Sequence, residues 1–218
     1  MDVFNLPQST KFAKVVPKNS FDEYMNTKQK KERADLIARI VWANKLSKTT
    51  VNLETGGIDE IQLFAIELKV KTEIKAILDL IDKASPYHII FVVTYSDTYY
   101  LSTSSKHPHP GNADNSVIDW NFRSDWIEGG ERPYQINLGK SLEATYLDFC
   151  KQLSGESDSK PDISSLVKKR QEIAQLEKDI ARLEVRVRAA KQFNKKVELN
   201  RELNDLRDRL NMLIEKSN

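Results

Sequence analysis

The chain has 218 residues, 39% hydrophobic and 30% charged, at a mean hydropathy of −0.55. That length allows one globular body with an appendage, and the excess of charge assigns part of the chain to a solvated helix or coil. Thirty-four Lys and Arg against 32 Asp and Glu exclude a histone-like binder and an acidic tail. The single Cys150 excludes an intrachain disulfide and a Cys-cluster zinc site, and only three His accompany it.

Taken in chain order, Pro7 and Pro17 punctuate an extended entry, since each disfavours the α conformation in the residue before it. Asn19 or Ser20 can cap a helix over residues 21–25. A second helix is predicted over residues 29–46, with Leu36, Ile37, Ile40, Val41 and Ala43 as its apolar stripe and Trp42 on its flank. The β-branched run 49–53 reads as a short strand, Gly56-Gly57 as a turn, and residues 59–71 as a longer strand. Ile74, Ile77, Leu78 and Ile81 share one face of a helix that Pro86 stops. Residues 87–95, YHIIFVVTY, form a continuous apolar run typical of a strand buried on both faces. Ser96-Asp97 turns it into a hairpin partner, TYYLSTSS. Residues 107–112, HPHPGN, read as irregular, and residues 134–138 as another strand. Residues 142–153 follow as a helix with Leu142, Tyr146, Phe149 and Leu153 inward.

Composition changes near residue 154. SGESDSKPD (residues 154–162) is small and polar and reads as a linker, and no Gly or Pro follows it. Residues 162–218 carry 14 Lys/Arg and 10 Asp/Glu, a net of +4, which leaves 20 against 22, a net of −2, for the rest. The expected partition is a body over 1–153, a linker over 154–162 and a helical arm over 163–218. In the arm Leu166, Ile173, Leu176, Ile180, Leu183, Val187 and Ala190 recur at steps of mostly three and four, and so do Leu199, Leu203, Leu206, Leu210 and Leu213. The nine-residue step from Ala190 to Leu199 breaks the phase, which means a stutter in one long helix or an antiparallel hairpin turning within residues 191–196. Hairpin is the preferred reading, with Asn194 as the turn residue. The fold class expected is α/β: a mixed-sheet sandwich followed by a C-terminal helical hairpin or coiled-coil arm.

Five blocks, LPQSTKFAKVVPKNSF, IVWANKLSKTTVNL, DEIQLFAIELK, LIDKASPYHIIFVV and KQFNKKVELNREL, together resemble the bacterial and archaeal domain of unknown function 4391 family. The resemblance runs over nearly the whole chain, the arm included, and aligns only loosely around Trp120 and Trp126. It implies a gene setting beside helicases and DNA methyltransferases of restriction-modification or phage-defence clusters. It carries no catalytic residues with it.

Several constellations stand beside that resemblance. Glu67-x-Lys69, with Asp59 or Glu54 as a second carboxylate, matches the pattern by which PD-(D/E)xK nucleases hold a divalent cation beside a phosphate. Asp59 lies about 34 Å along an unbroken strand from Lys69, so cross-strand ion pairing is the simpler reading. His107 and His109 could ligate a metal but sit without a Cys nearby. Arg182, Arg186, Arg188, Lys191, Lys195 and Lys196 surround the phase break, where phosphate contact is easy, although a solvated helix face accounts for them too. Tyr99, Tyr100, Trp120, Phe122, Trp126 and Tyr134 read as core, with a partner surface as the alternative. Cys150 falls within an amphipathic helix and reads as a buried thiol.

The expected function is an accessory, interaction protein of a DNA-acting assembly. It would dock through its arm, with Leu176, Leu183, Leu199, Leu203, Leu206 and Leu210 as partner contacts. The partners expected are a helicase or DNA methyltransferase, DNA itself, or a second copy of the chain. The alternatives are a Mg2+-dependent nuclease using Glu67, Lys69, Glu54 and Asp59, and a non-catalytic nucleic-acid binder using Arg186, Arg188, Lys191, Lys195 and Lys196. Outside the nuclease reading no cofactor or metal is expected. No apolar run reaches the ~18–20 residues of a membrane span. The opening MDVFNLPQSTKF lacks a basic-then-apolar leader, so a cytoplasmic setting is expected.

Overall fold

A computed structural model describes residues 3–17, 19–156 and 162–215. The chain divides into two compact units, Met1–Ser154 and Gly155–Asn218. The first is a seven-stranded mixed sheet with helices, and the second is a pair of helices.

The sheet strands are β1 (Lys11–Val15), β2 (Ile37–Ser47), β3 (Glu60–Leu68), β4 (His88–Tyr95), β5 (Thr98–His109), β6 (Asn112–Arg123) and β7 (Ile127–Glu128). Their order is β1-β2-β3-β4-β5-β6, with β7 pairing β5. Every pairing is antiparallel except β3 with β4, which are parallel. A parallel pair needs a crossover, and α3 (Lys75–Lys83) supplies it. Strand alternation then sorts the side chains. Phe64, Ile66, Phe91, Val93 and Tyr100 share a core with Ile77, Leu78 and Ile81 of α3. Thr103, of opposite parity to Ser102 and Ser104, meets Tyr146 of α4 (Leu142–Ser154) across the other face. The expected sandwich is thus one sheet with α3 on one face and α4 on the other.

Three elements differ from the sequence reading. The stretch expected to be a single helix over 29–46 divides into α1 (Thr27–Leu36) and β2. Asn26 and Gln29 form a reciprocal capping box at the start of α1, so the helix itself is well specified. Beyond Leu36, however, the pattern fits a strand as readily, and nine registered pairs with β3 decide for it. The run 49–53 is not a strand: α2 (Lys48–Val51) takes most of it and ends on Asn52 at φ 53. Thr50 Oγ1 donates to the Lys45 carbonyl at 2.8 Å, the local side-chain bonding that lets a β-branched residue close a turn. His107 and His109 are not in an irregular loop but end β5, which pairs with β6 as a long hairpin.

Smaller corrections follow the same lines. Asp22–Tyr24 is a single 3-10 turn, and residues 134–138 form no strand although Ile136 is buried. Gly56 (φ +67) is required where the chain enters β3, because a Cβ there would stand 2.9 Å from Ser141 Oγ.

The C-terminal unit is α5 (Ile163–Ala189) followed by α6 (Phe193–Glu215). The phase break is a turn, and the hairpin replaces the single long helix. The turn lies at residues 190–192, before Asn194, which sits in the first turn of α6. Asp162 caps α5 by accepting from Ser165 N–H at 2.7 Å. Of the expected linker, Ser154 belongs to α4, and residues 157–161 lie outside the described residues. Among the described residues no helix is long and apolar enough to cross a membrane.

Candidate functional site

The structure places Glu67 and Lys69 at one end of β3 and Asp59 and Glu54 at the other. Glu67 is exposed, in register with Arg39 of β2 and Thr94 of β4. The Lys69 ammonium donates to the Ala34 carbonyl at 2.6 Å, which ties the end of β3 to the last turn of α1. Asp59 immediately precedes β3, and Glu54 accepts from Lys48 at 3.1 Å on both oxygens. The two carboxylates are therefore not brought to Glu67. Among the described residues no group of three or more His, Cys, Asp or Glu is placed to hold a metal. His107 Nδ1 lies 3.0 Å from Asp119, and the His109 ring accepts from Gly111 N–H at 3.1 Å.

A buried polar cluster escaped the sequence reading. Lys106, in the interior of β5, directs its ammonium at Asp82 Oδ1 (2.7 Å), the Asp82 carbonyl (2.7 Å) and the Ser85 carbonyl (2.9 Å). All three N–H donors are used. Ser104 Oγ donates to the other Asp82 oxygen, and Ser116 Oγ to the Ser85 carbonyl. The ammonium thus neutralises a buried carboxylate and satisfies carbonyls at the C-terminal end of α3 in one place. Burial pushes the Asp82 carboxyl up and the Lys106 ammonium down, and each partner opposes the shift of the other. The signal was in the sequence: Asp82 stands four residues after Leu78, on the stripe that Ile74, Ile77 and Leu78 define.

On the opposite face Tyr146 donates to the Ser104 carbonyl at 2.6 Å, and the His88 ring stands edge-on to it at 4.5 Å. Desolvation, helped by Lys106, pushes His88 down to about 4. Burial pushes the Cys150 thiol well up, so it stays protonated and inert. Of the aromatic group, Tyr99, Tyr100 and Phe122 are buried, and Trp126 packs edge-on against Tyr100 at 4.9 Å. Trp120 and Tyr134 are partly exposed.

In the helical hairpin Leu183, Leu199 and Leu203 form one buried cluster, with Ile180, Val187, Ala190 and Leu206 packed on it. Leu176 is also buried, and Leu206 and Leu210 are partly so. The heptad leucines expected to meet a partner thus serve, in large part, the seam between α5 and α6. Arg207 to Glu184 (2.7 Å) and Arg209 to Glu172 (3.8 Å) bridge the two helices beside it.

Residues 182–201, around the turn, hold seven basic and two acidic side chains, a net of +5. Arg188 reaches Glu184 at 3.8 Å, and Lys195 reaches Glu198 at 2.7 Å, which holds that carboxyl below its usual range. Arg186, Lys191, Lys196 and Arg201 make no direct ion pair among the described residues.

Fold and side chains together define a mixed α/β-sheet protein with a C-terminal helical hairpin. A family model described as Domain of unknown function (DUF4391) matches residues 4–210, and the chain belongs to that family. No curated protein and no solved structure matches it.

Proposed function

We propose that this is an accessory, interaction protein of a DNA-acting assembly, cytoplasmic, that docks through the outer faces of its helical hairpin. One observation carries the reading. Of the nine large hydrophobic side chains exposed among the described residues, five stand on the hairpin: Val185, Phe193, Val197, Met212 and Ile214. The seam already consumes the heptad leucines, so these five are apolar surface that the hairpin does not need for itself. Phe193 and Val197 stand one helical turn apart on α6, and adjoining exposed apolar groups mark interaction surfaces more often than single ones. The partner class, a helicase or DNA methyltransferase of a restriction-modification or phage-defence cluster, is the one that the family's expected gene setting implies.

The test is co-purification of the tagged chain with the products of its neighbouring genes. Val185→Glu with Met212→Glu is expected to abolish recovery of the partner while circular dichroism and the melting temperature stay unchanged. Unchanged recovery, or recovery of nothing by the native chain, overturns the docking reading.

A further inference from the structure

We propose that the tip of the helical hairpin binds single-stranded nucleic acid, with Phe193 as a stacking surface and Lys191, Lys196 and Arg201 as phosphate contacts. This goes beyond the docking reading, with which it shares Phe193, and its variants are at different residues from those that test that reading.

Two independent features meet at the tip. The first is charge. The net of +5 over residues 182–201 includes Lys191, Lys196 and Arg201, which no acidic side chain pairs among the described residues. Helix α6 also opens with no acidic residue in its first turn, while Lys195 and Lys196 stand there. Cations at that end oppose the helix dipole and make folding harder, and a polyanion relieves the repulsion. The second feature is apolar. Phe193 is 78% exposed and Val197 is 52% exposed, one helical turn apart on the same ridge of α6, with Arg201 one turn further. An exposed ring among unpaired cations asks for a ligand with both negative charge and a flat apolar face.

Single-stranded nucleic acid offers both at neighbouring positions, because every nucleotide presents a phosphate and an accessible base face. A duplex offers the phosphates but stacks its bases away from the ring. An acidic protein groove also combines charge with apolar surface. Lysine, however, is depleted in protein–protein interfaces and is an ordinary phosphate partner, and the cations of the turn and of the first turn of α6, Lys191, Lys195 and Lys196, are all lysines.

The experiment is fluorescence anisotropy of the full chain against a labelled oligothymidylate of about 20 nucleotides and a duplex of the same length, over a salt series. The native chain is expected to bind the single strand more tightly. Lys191→Glu, Lys196→Glu and Arg201→Glu together are expected to weaken binding at least about tenfold and to flatten the log–log salt slope by about 2. Phe193→Ala is expected to weaken single-strand binding about 5- to 100-fold with the salt slope unchanged. All four positions are exposed, so a folding defect is not anticipated, and circular dichroism checks it. Equal affinity of the charge-reversed and native chains overturns the proposal, as does preference for the duplex. Absence of any binding at about 50 mM salt overturns it too; if the tip variants then lose the co-purified partner, the tip is a protein contact. Loss of nucleic-acid binding with the partner still recovered supports it and leaves the docking reading intact.

Discussion

Lys106 and Asp82 show how one pair of side chains can decide a packing. Both are buried, and every donor of the ammonium has an acceptor. Removing one member leaves the other charged and unpaired in a low-dielectric interior, which costs about 3–5 kcal/mol. Lys106→Met is therefore expected to lower the unfolding free energy by that amount in urea denaturation. The double variant Asp82→Leu, Lys106→Met is expected to lose clearly less than the two single variants summed, because two apolar groups leave no charge behind. His88 acts in the other direction. Its ring is held neutral down to about 4, against an ordinary value of 6.5. Between those values the unfolded chain takes up a proton that the folded chain refuses, so stability is complete above pH 6.5 and falls as pH drops toward 4. Between pH 7 and 5 the native chain is expected to lose about 2 kcal/mol more than His88→Phe, read from denaturation at both values.

At the scale of elements, β2 and the hairpin carry the lesson. The spacing Leu36, Ile37, Ile40, Val41 suits a helix, yet Ile37, Arg39, Ile40 and Val41 register with Leu68, Glu67, Ile66 and Ala65 of β3. A local pattern cannot see a partner strand more than twenty residues away, so this element was legible only once β3 was in place. β4 and α3 were legible directly, because β4 is a short apolar run rich in β-branched residues and the three-four stripe of α3 ends just before Pro86. In the hairpin the alternating leucines foretold an apolar seam, but not whether the seam would be filled from within the chain. Leu203 lies buried in that seam against the Leu183 side, so Leu203→Ala is expected to destabilise the hairpin by about 2–4 kcal/mol. Hydrogen exchange of α6 amides is the measurement: faster exchange in α6, with β3 and β4 protected as in the native chain, is the expected result.

Across the whole molecule the two units divide the chemistry. The body keeps its polar groups inside and paired, in the Asp82–Lys106 cluster and the Tyr146 hydroxyl, and its thiol is buried. The hairpin keeps its leucines inside and presents cations and apolar side chains outside. The candidate nuclease residues divide in the same spirit. Glu67 and Lys69 were correctly seen as neighbours, because they are neighbours along the chain. Asp59 depended on a fold-back that β3 does not make, and Glu54 on a strand before it where the chain forms α2 instead. From sequence alone came the α/β body with its C-terminal helices, the basic cluster near residue 190 and the buried status of Cys150, since each depends on local spacing or composition; the family came from the resemblance of five sequence blocks. Tertiary structure alone decided that residues 37–47 form a strand, that Asp82 and Lys106 meet, and that the leucine seam closes on itself while Phe193 stays out. Those outcomes depend on contacts between residues far apart in the chain, and no local pattern encodes which distant partner a side chain will find.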